Sequence, residues 1–304
     1  MDRLAILFCA MAPAIILLLY GITKARGRWG DAAVWQTFFA GGLSAVFTLL
    51  PELLLDKSLA VDGMRPVPGA LTEALVIAAI PEEIAKFIAF LYAEERYSEG
   101  ARLQDVMTLT LAVAMGFAAI ENLGYLAGAG NWQPMALSRA ITAVPSHAID
   151  GLAMGALLTA TRLDESRWRL WLPLALVLPI LLHAGYDFPL LLVAKDRALY
   201  GVLPAWLVMS VLAMIGVLYL CNKMRAAARR ADRRTRPPEA EPPPSFSPKR
   251  AAAAILLVAP LLAAASLLIV GHASVLDAGV VSLLPIILGV DLLCTSPAPA
   301  RGSA

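Results

Sequence analysis

The chain predicts an all-α fold: a polytopic transmembrane helical bundle of about nine spans, with its N-terminus outside and its C-terminus inside. Three observations predict it. Hydrophobic residues fill 59% of the 304 positions and charged residues only 16%, where a soluble domain carries about 25% charge. The apolar excess falls in runs close to the ~20 residues that a helix needs to cross the hydrocarbon layer. Lys and Arg alternate between successive loops, denser on one side than on the other.

The runs lie at 4–23, 32–55, 70–93, 106–129, 139–160, 170–194, 202–221, 251–271 and 275–294. The first extends to Thr23, longer than the apolar core of a signal peptide, and so reads as a span. The last carries Asp277 and Asp291 within its ends and is the weakest of the nine. Cys9, Cys221 and Cys294 form no CxxC pair and are expected to be packing residues rather than a disulfide or zinc framework. A net charge of +2 gives no sign of a nucleic-acid partner.

The basic residues set the orientation. Segment 222–250 holds nine Lys and Arg and is assigned to the cytoplasm. Counting back two spans at a time puts three further loops on that side, with Arg162, Arg167 and Arg169; Arg96 and Arg102; and Lys24, Arg26 and Arg28. The opposite loops carry fewer: Lys57 and Arg65, Arg139, and Lys195 with Arg197. The run from Arg236 through Pro244 has the composition of an extended linker. Its basic residues suit a topology anchor first and anionic lipid second. The expected organisation is a seven-span body at 1–221 carrying the chemistry, a basic, Pro-rich cytoplasmic linker at 222–250, and a transmembrane hairpin with a short tail at 251–304. There is no internal repeat.

The third span carries a conflict. Pro81-Glu82-Glu83-Ile84-Ala85-Lys86 sits inside Ala70–Ala93. Each central charge costs about 3 kcal/mol to insert. The ten Leu, Ile, Val and Phe residues of the stretch return only about 0.5 kcal/mol each. This helix must therefore pack among others with its charges inward, and ionisable residues inside a bilayer point to function.

Three more spans carry polar residues at mid-depth: Glu121-Asn122, His147 with Asp150, and His183 with Asp187. Counted from the outer ends, Glu82, Glu121, His147 and His183 fall within about 6 Å along the membrane normal. Glu82 and Lys86 share a helix face and can pair, and Glu83 lies three before Lys86. His183 and Asp187 are also one turn apart, so the carboxylate can fix the imidazole. Gly151, four after His147, keeps the face below that ring open. Pro81 and Pro145 each remove a backbone donor beside the polar layer, as happens where backbone lines a cavity.

Two imidazoles with nearby carboxylates can bind a divalent metal with an open water position. Another glutamate can then act as general base. The same groups without metal can hydrolyse a peptide bond, one glutamate activating water while the histidines stabilise the oxyanion. Residue types alone leave both routes open. Buried Glu, Lys and His also suit a proton-coupled transporter or ion pathway, and similar ligands serve membrane hydrolases of lipid amides. Lys86 reads as a charge partner rather than a nucleophile. Asn122 suits either a substrate carbonyl or a bridge between helices. Glu52 and Glu73 are expected at the aqueous boundary, Phe117 in the packing, and His272 at an outer boundary without a role.

The residues resemble a known family. Glu82-Glu83-Ile84-Ala85-Lys86 resembles the EExxK motif of the PrsW intramembrane proteases, and Phe117 through Asn122 resembles their FxxxEN motif. His147 through Gly151 and His183 through Asp187 resemble their HxxxG-like and HxxxD motifs. The four occur in order, each on its own span, and the resemblance covers about 70–190. The distantly similar CAAX prenyl protease and bacteriocin-processing superfamily has EExxxR, with its basic residue one position later. The HExxH helix of zinc proteases is absent, and Gly42-Leu43-Ser44-Ala45 lacks the last glycine of a rhomboid GxSG.

The resemblance implies a peptidase cutting membrane-protein or membrane-anchored substrates from within a bacterial plasma (inner) membrane. It implies a divalent metal, zinc first, with a metal-free glutamate mechanism as the alternative. Glu82 or Glu83 is expected to activate water, with Lys86, Glu121 and Asn122 in the catalytic set. His147, His183 and Glu121 are the expected metal ligands or oxyanion partners. Asp187 and Asp150 are expected to support them.

Overall fold

A computed structural model describes residues 2–25, 32–97 and 103–235, and these are all helical with their connections. The elements are α1 (Asp2–Ala25), α2 (Ala32–Leu59), α3 (Pro66–Thr72), a π-helical segment (Glu73–Ala79), α4 (Ile80–Tyr97), α5 (Val106–Gly128), α6 (Trp132–Ile141), α7 (Ala143–Leu163), α8 (Trp168–Lys195) and α9 (Leu203–Thr235). Six helical stretches among the described residues are long and apolar enough to cross a membrane. They fall on the first, second, fourth, fifth, sixth and seventh expected spans.

The third expected span is helical from Pro66 to Tyr97, but its charges keep it out of that class. The eighth and ninth, with His272 and Cys294, lie outside the described residues. Two boundaries differ from expectation. The fifth span does not run from 139: α6 ends at Ile141, and Thr142, at φ −121° and ψ −66°, turns the chain into α7. Pro145 thus lies in the first turn of α7, where a missing N–H leaves no bond unmade. The helix expected to end at 221 continues to Thr235, so the start of the expected linker is helical.

Pro81 explains the π-helical segment. In a regular α-helix its ring would press on the carbonyl of Ile77, four residues earlier. The chain widens instead, and the Ile80 N–H donates to the Leu75 carbonyl, five residues back. Such wide turns recur at functional sites. This one ends directly before Glu82 and Glu83.

α5 and α7 form the centre. Every residue of α5 from Val106 to Ala119 is buried, and so is α7 from Ala143 to Ala160 apart from Ser146. Small residues let the backbones meet, as in membrane bundles where lipid leaves no hydrophobic drive between helices. A Cβ on Gly116 of α5 would overlap the Phe38 carbonyl of α2, and one on Gly41 would overlap the Val113 carbonyl. A Cβ on Gly151 of α7 would stand 2.6 Å from the Ala114 Cβ of α5. Gly151 therefore seats α7 on α5, where the spacing suggested an opening under His147.

The outer helices turn apolar side chains outward. α2 exposes Phe39, Leu43, Val46, Phe47, Leu50 and Leu54, and α9 exposes Val208, Met209, Leu212, Ile215 and Tyr219. At helical spacing these make the faces that a bilayer covers. Ion pairs fix the charged 66–97 stretch at both ends. Glu73 pairs with Lys195 of α8 at 2.8 Å, and Glu94 pairs with Arg162 of α7. Glu73 thus clamps this stretch to α8.

Candidate active site

Five helices bring the polar residues together. Lys86 is the hub of the α4 contribution and is 1% exposed. Its Nζ lies 2.6 Å from Glu83 Oε1, 3.4 Å from Glu82 Oε2 and 3.0 Å from His147 Nδ1. It also stands 4.1 Å from the centroid of the Phe117 ring, so Phe117 is a cation–π floor as well as packing.

His183, on α8, is held between acids. Its Nδ1 lies 2.9 Å from Glu83 Oε1 and its Nε2 3.1 Å from Asp187 Oδ2. Glu82 Oε2 is further off, at 3.8 Å from Nε2. The rings of His147 and His183 meet edge to face, with centroids 5.3 Å apart. A neutral imidazole donates through one nitrogen only, so both carboxylate contacts of His183 are satisfied only with a second proton or a cation present.

His147 is oriented from behind. Its Nε2 lies 2.7 Å from Glu121 Oε2. An ionised carboxylate only accepts, so Nε2 carries the proton and Nδ1 faces the cluster with its lone pair. Glu121 lies 2.8 Å from Arg139 Nη2, an ion pair aligned too poorly to count as a hydrogen bond. Arg139 Nε donates to Asn122 Oδ1 at 2.6 Å, and Asn122 Nδ2 reaches the Ala10 carbonyl of α1 at 3.5 Å. Asn122 is thus a bridge between helices.

Asp150 is the largest surprise. It is 1% exposed, and neither carboxylate oxygen has a hydrogen-bond partner among the described residues. Glu83 Oε2 is buried without a partner as well. An unpaired buried carboxylate is among the most costly arrangements in a protein. Ligand atoms from Glu83, His147, Asp150 and His183 all lie within 4.8 Å of one another. Two imidazoles and two carboxylates suit zinc or a similar divalent ion. Charge agrees: among the described residues, the carboxylates of Glu82, Glu83, Glu121, Asp150 and Asp187 share only Lys86 and Arg139 as Lys or Arg partners. Metal or protons must supply the balance.

The predicted residues therefore converge on one centre, from α4, α5, α7 and α8. Glu121 and Asp150 differ from expectation in place: Asp150 stands among the clustered ligand atoms, and Glu121 stands behind His147. Glu52 of α2 is half-buried, with Oε1 unpartnered among the described residues. Arg139 escaped the sequence reading, which counted it as a loop charge. It is the sole Lys or Arg between Arg102 and Arg162, and Glu121 had no assigned counter-charge. That pairing was the available signal.

Comparisons with known proteins point the same way. The sequence model for PrsW family intramembrane metalloproteases matches residues 31–219. Protease PrsW of Halalkalibacterium halodurans is 32% identical over 206 residues, covering 67% of this chain and 92% of the relative. Protease PrsW of Bacillus subtilis is 30% identical over 202 residues, 66% of this chain and 88% of the relative. That of Geobacillus kaustophilus is 30% identical over 196 residues, 64% and 82%. No solved structure matches the chain. Neither a transporter nor a lipid-amide hydrolase is favoured by these relatives. The chain is a peptidase and belongs to the PrsW family of intramembrane metalloproteases.

Proposed function

We propose that this protease cuts membrane-protein or membrane-anchored substrates in a bacterial plasma membrane, with a zinc ion held by Glu83, His147, Asp150 and His183. The clustering of those four ligand atoms, with both Asp150 oxygens unpartnered, carries the reading. When bound, zinc supplies a Lewis acid that polarises the scissile carbonyl and favours hydroxide over water.

The protein's own groups then have distinct tasks. Glu82 is the general base. Its carboxylate makes only the long contacts of 3.4 Å to Lys86 and 3.8 Å to His183, and it is less deeply enclosed than Glu83. A base must be free to accept a proton from water and return it to the leaving amine. Glu83 is engaged by Lys86 and His183 at short range, which suits a fixed ligand. Lys86 is the counter-charge for both glutamates. Asp187 orients His183, and Glu121 orients His147. Dry helices around the site strengthen each of these interactions.

The bacterial relatives support the plasma membrane as location. The Lys and Arg alternation supports nine spans with the N-terminus outside and the C-terminus inside. α9 continues to Thr235, so the first part of the expected 222–250 linker is helical; its Pro-rich part and the proposed hairpin at 251–304 lie outside the described residues.

The test is cleavage of a membrane-anchored reporter peptide in proteoliposomes. Glu82→Gln, Glu83→Gln, His147→Ala and His183→Ala should each stop cleavage while the protein remains inserted. Cleavage by all four would refute the site.

A further inference from the structure

We propose that Arg139 is a positioning residue of this active site: it fixes Glu121, and Glu121 fixes the His147 imidazole. The inference rests on the site reading above and adds a residue and an element to it.

Three contacts hold the guanidinium. Nε donates to Asn122 Oδ1 at 2.6 Å, Nη2 lies 2.8 Å from Glu121 Oε2, and the group stacks 3.9 Å from the centroid of the Tyr125 ring. Glu121, Asn122 and Tyr125 all lie on α5, so one planar fork spans three side chains of a single helix. Asn122 is itself 1% exposed and tied to α1. A guanidinium presents donors in fixed directions and also stacks; an ammonium does neither.

The consequence is felt at His147. Glu121 Oε2 is shared between Arg139 Nη2 and His147 Nε2. Its side chain is 19% exposed, so without Arg139 it has water as a competing partner. Held in place, it accepts the hydrogen bond from the Nε2–H and leaves Nδ1 for the cluster. Outer partners of metal-bound histidines typically change metal affinity or activity by about 10–100-fold.

Arg139 is also carried separately from the histidine it controls. It sits on α6, a ten-residue helix set off from α7 at Thr142. The Thr142 hydroxyl accepts a hydrogen bond from Tyr186 of α8 at 2.8 Å. The seat of α6 against α5 therefore sets the ring that α7 presents.

A double-mutant cycle on the purified full-length protein tests this, with Arg139→Gln, Glu121→Gln and the double variant beside the wild type. Two quantities are read: Co2+ affinity, and cleavage of the reporter resolved into kcat and KM. Arg139→Gln should weaken Co2+ binding and lower kcat by about 10–100-fold while KM changes by less than about twofold. The double variant should be no worse than Glu121→Gln alone, and Arg139→Lys should recover part of the loss. Losses that multiply in the double variant, or unchanged Co2+ affinity in Arg139→Gln, overturn the proposal. If Arg139→Gln does not fold, Arg139→Lys carries the test: wild-type values for both quantities then overturn it, and intermediate ones support it. A wild-type protein that binds no Co2+ refutes the metal-site reading instead.

Discussion

The polar layer has two halves that are built differently. Around Glu121, each charged group has a partner: Arg139, His147 and Asn122 form a chain with Tyr125 beneath it. Around Asp150 and Glu83, three buried carboxylate oxygens have no partner among the described residues. His147 and Asp150 lie about one turn apart on α7 yet belong to different halves, so depth alone does not explain the contrast. A satisfied network rigidifies what it touches. An unsatisfied one is stable only if something else completes it. The paired half positions, and the unpaired half is where a cation and the chemistry belong.

Four substitutions break or sharpen that contrast. The largest effect is expected in the unpaired half. His183→Ala should reduce reporter cleavage by about a thousandfold or more, and wild-type rates would remove His183 from the chemistry. Asp150→Asn comes next, with Zn2+ affinity reduced about a hundredfold in a competition titration. An unchanged affinity would leave the orphaned Asp150 oxygens without a role. In the paired half, Asn122→Ala removes one hydrogen bond to a charged group, worth about 1.5–3 kcal/mol. It should slow kcat about tenfold and leave one metal site intact by titration. Outside both halves, Gly151→Val should destabilise the protein by about 1–3 kcal/mol through overpacking against α5, read from its unfolding midpoint in detergent.

Much of this arrangement was legible in the sequence because a bilayer makes charge conspicuous. Glu82, Glu83 and Lys86 stood out in an apolar stretch, and their spacing already implied the pairing that the structure shows. Helical period likewise placed Asp187 beside His183. What stayed hidden depends on contacts between helices. Asp150 shares a helix with His147, but only packing shows that no hydrogen bond reaches it. Arg139 sits where a counting rule for loop charges assigns it a topological task, and only the fold of α6 brings it to Glu121. Gly151 suggested open space because absence of a side chain reads the same in a sequence whether a cavity or a neighbouring backbone fills the place. The widened turn before Pro81 was foreshadowed by the proline, but its length was not.

The central claim is that the unpaired half is a metal site. The most direct measurement is metal content by mass spectrometry of the purified protein beside a His147→Ala, His183→Ala double variant. The account predicts about one zinc per wild-type chain and close to none in the variant. Equal, near-zero metal in both, with the wild type still cutting its substrate, would contradict it and favour hydrolysis by glutamate and imidazole alone.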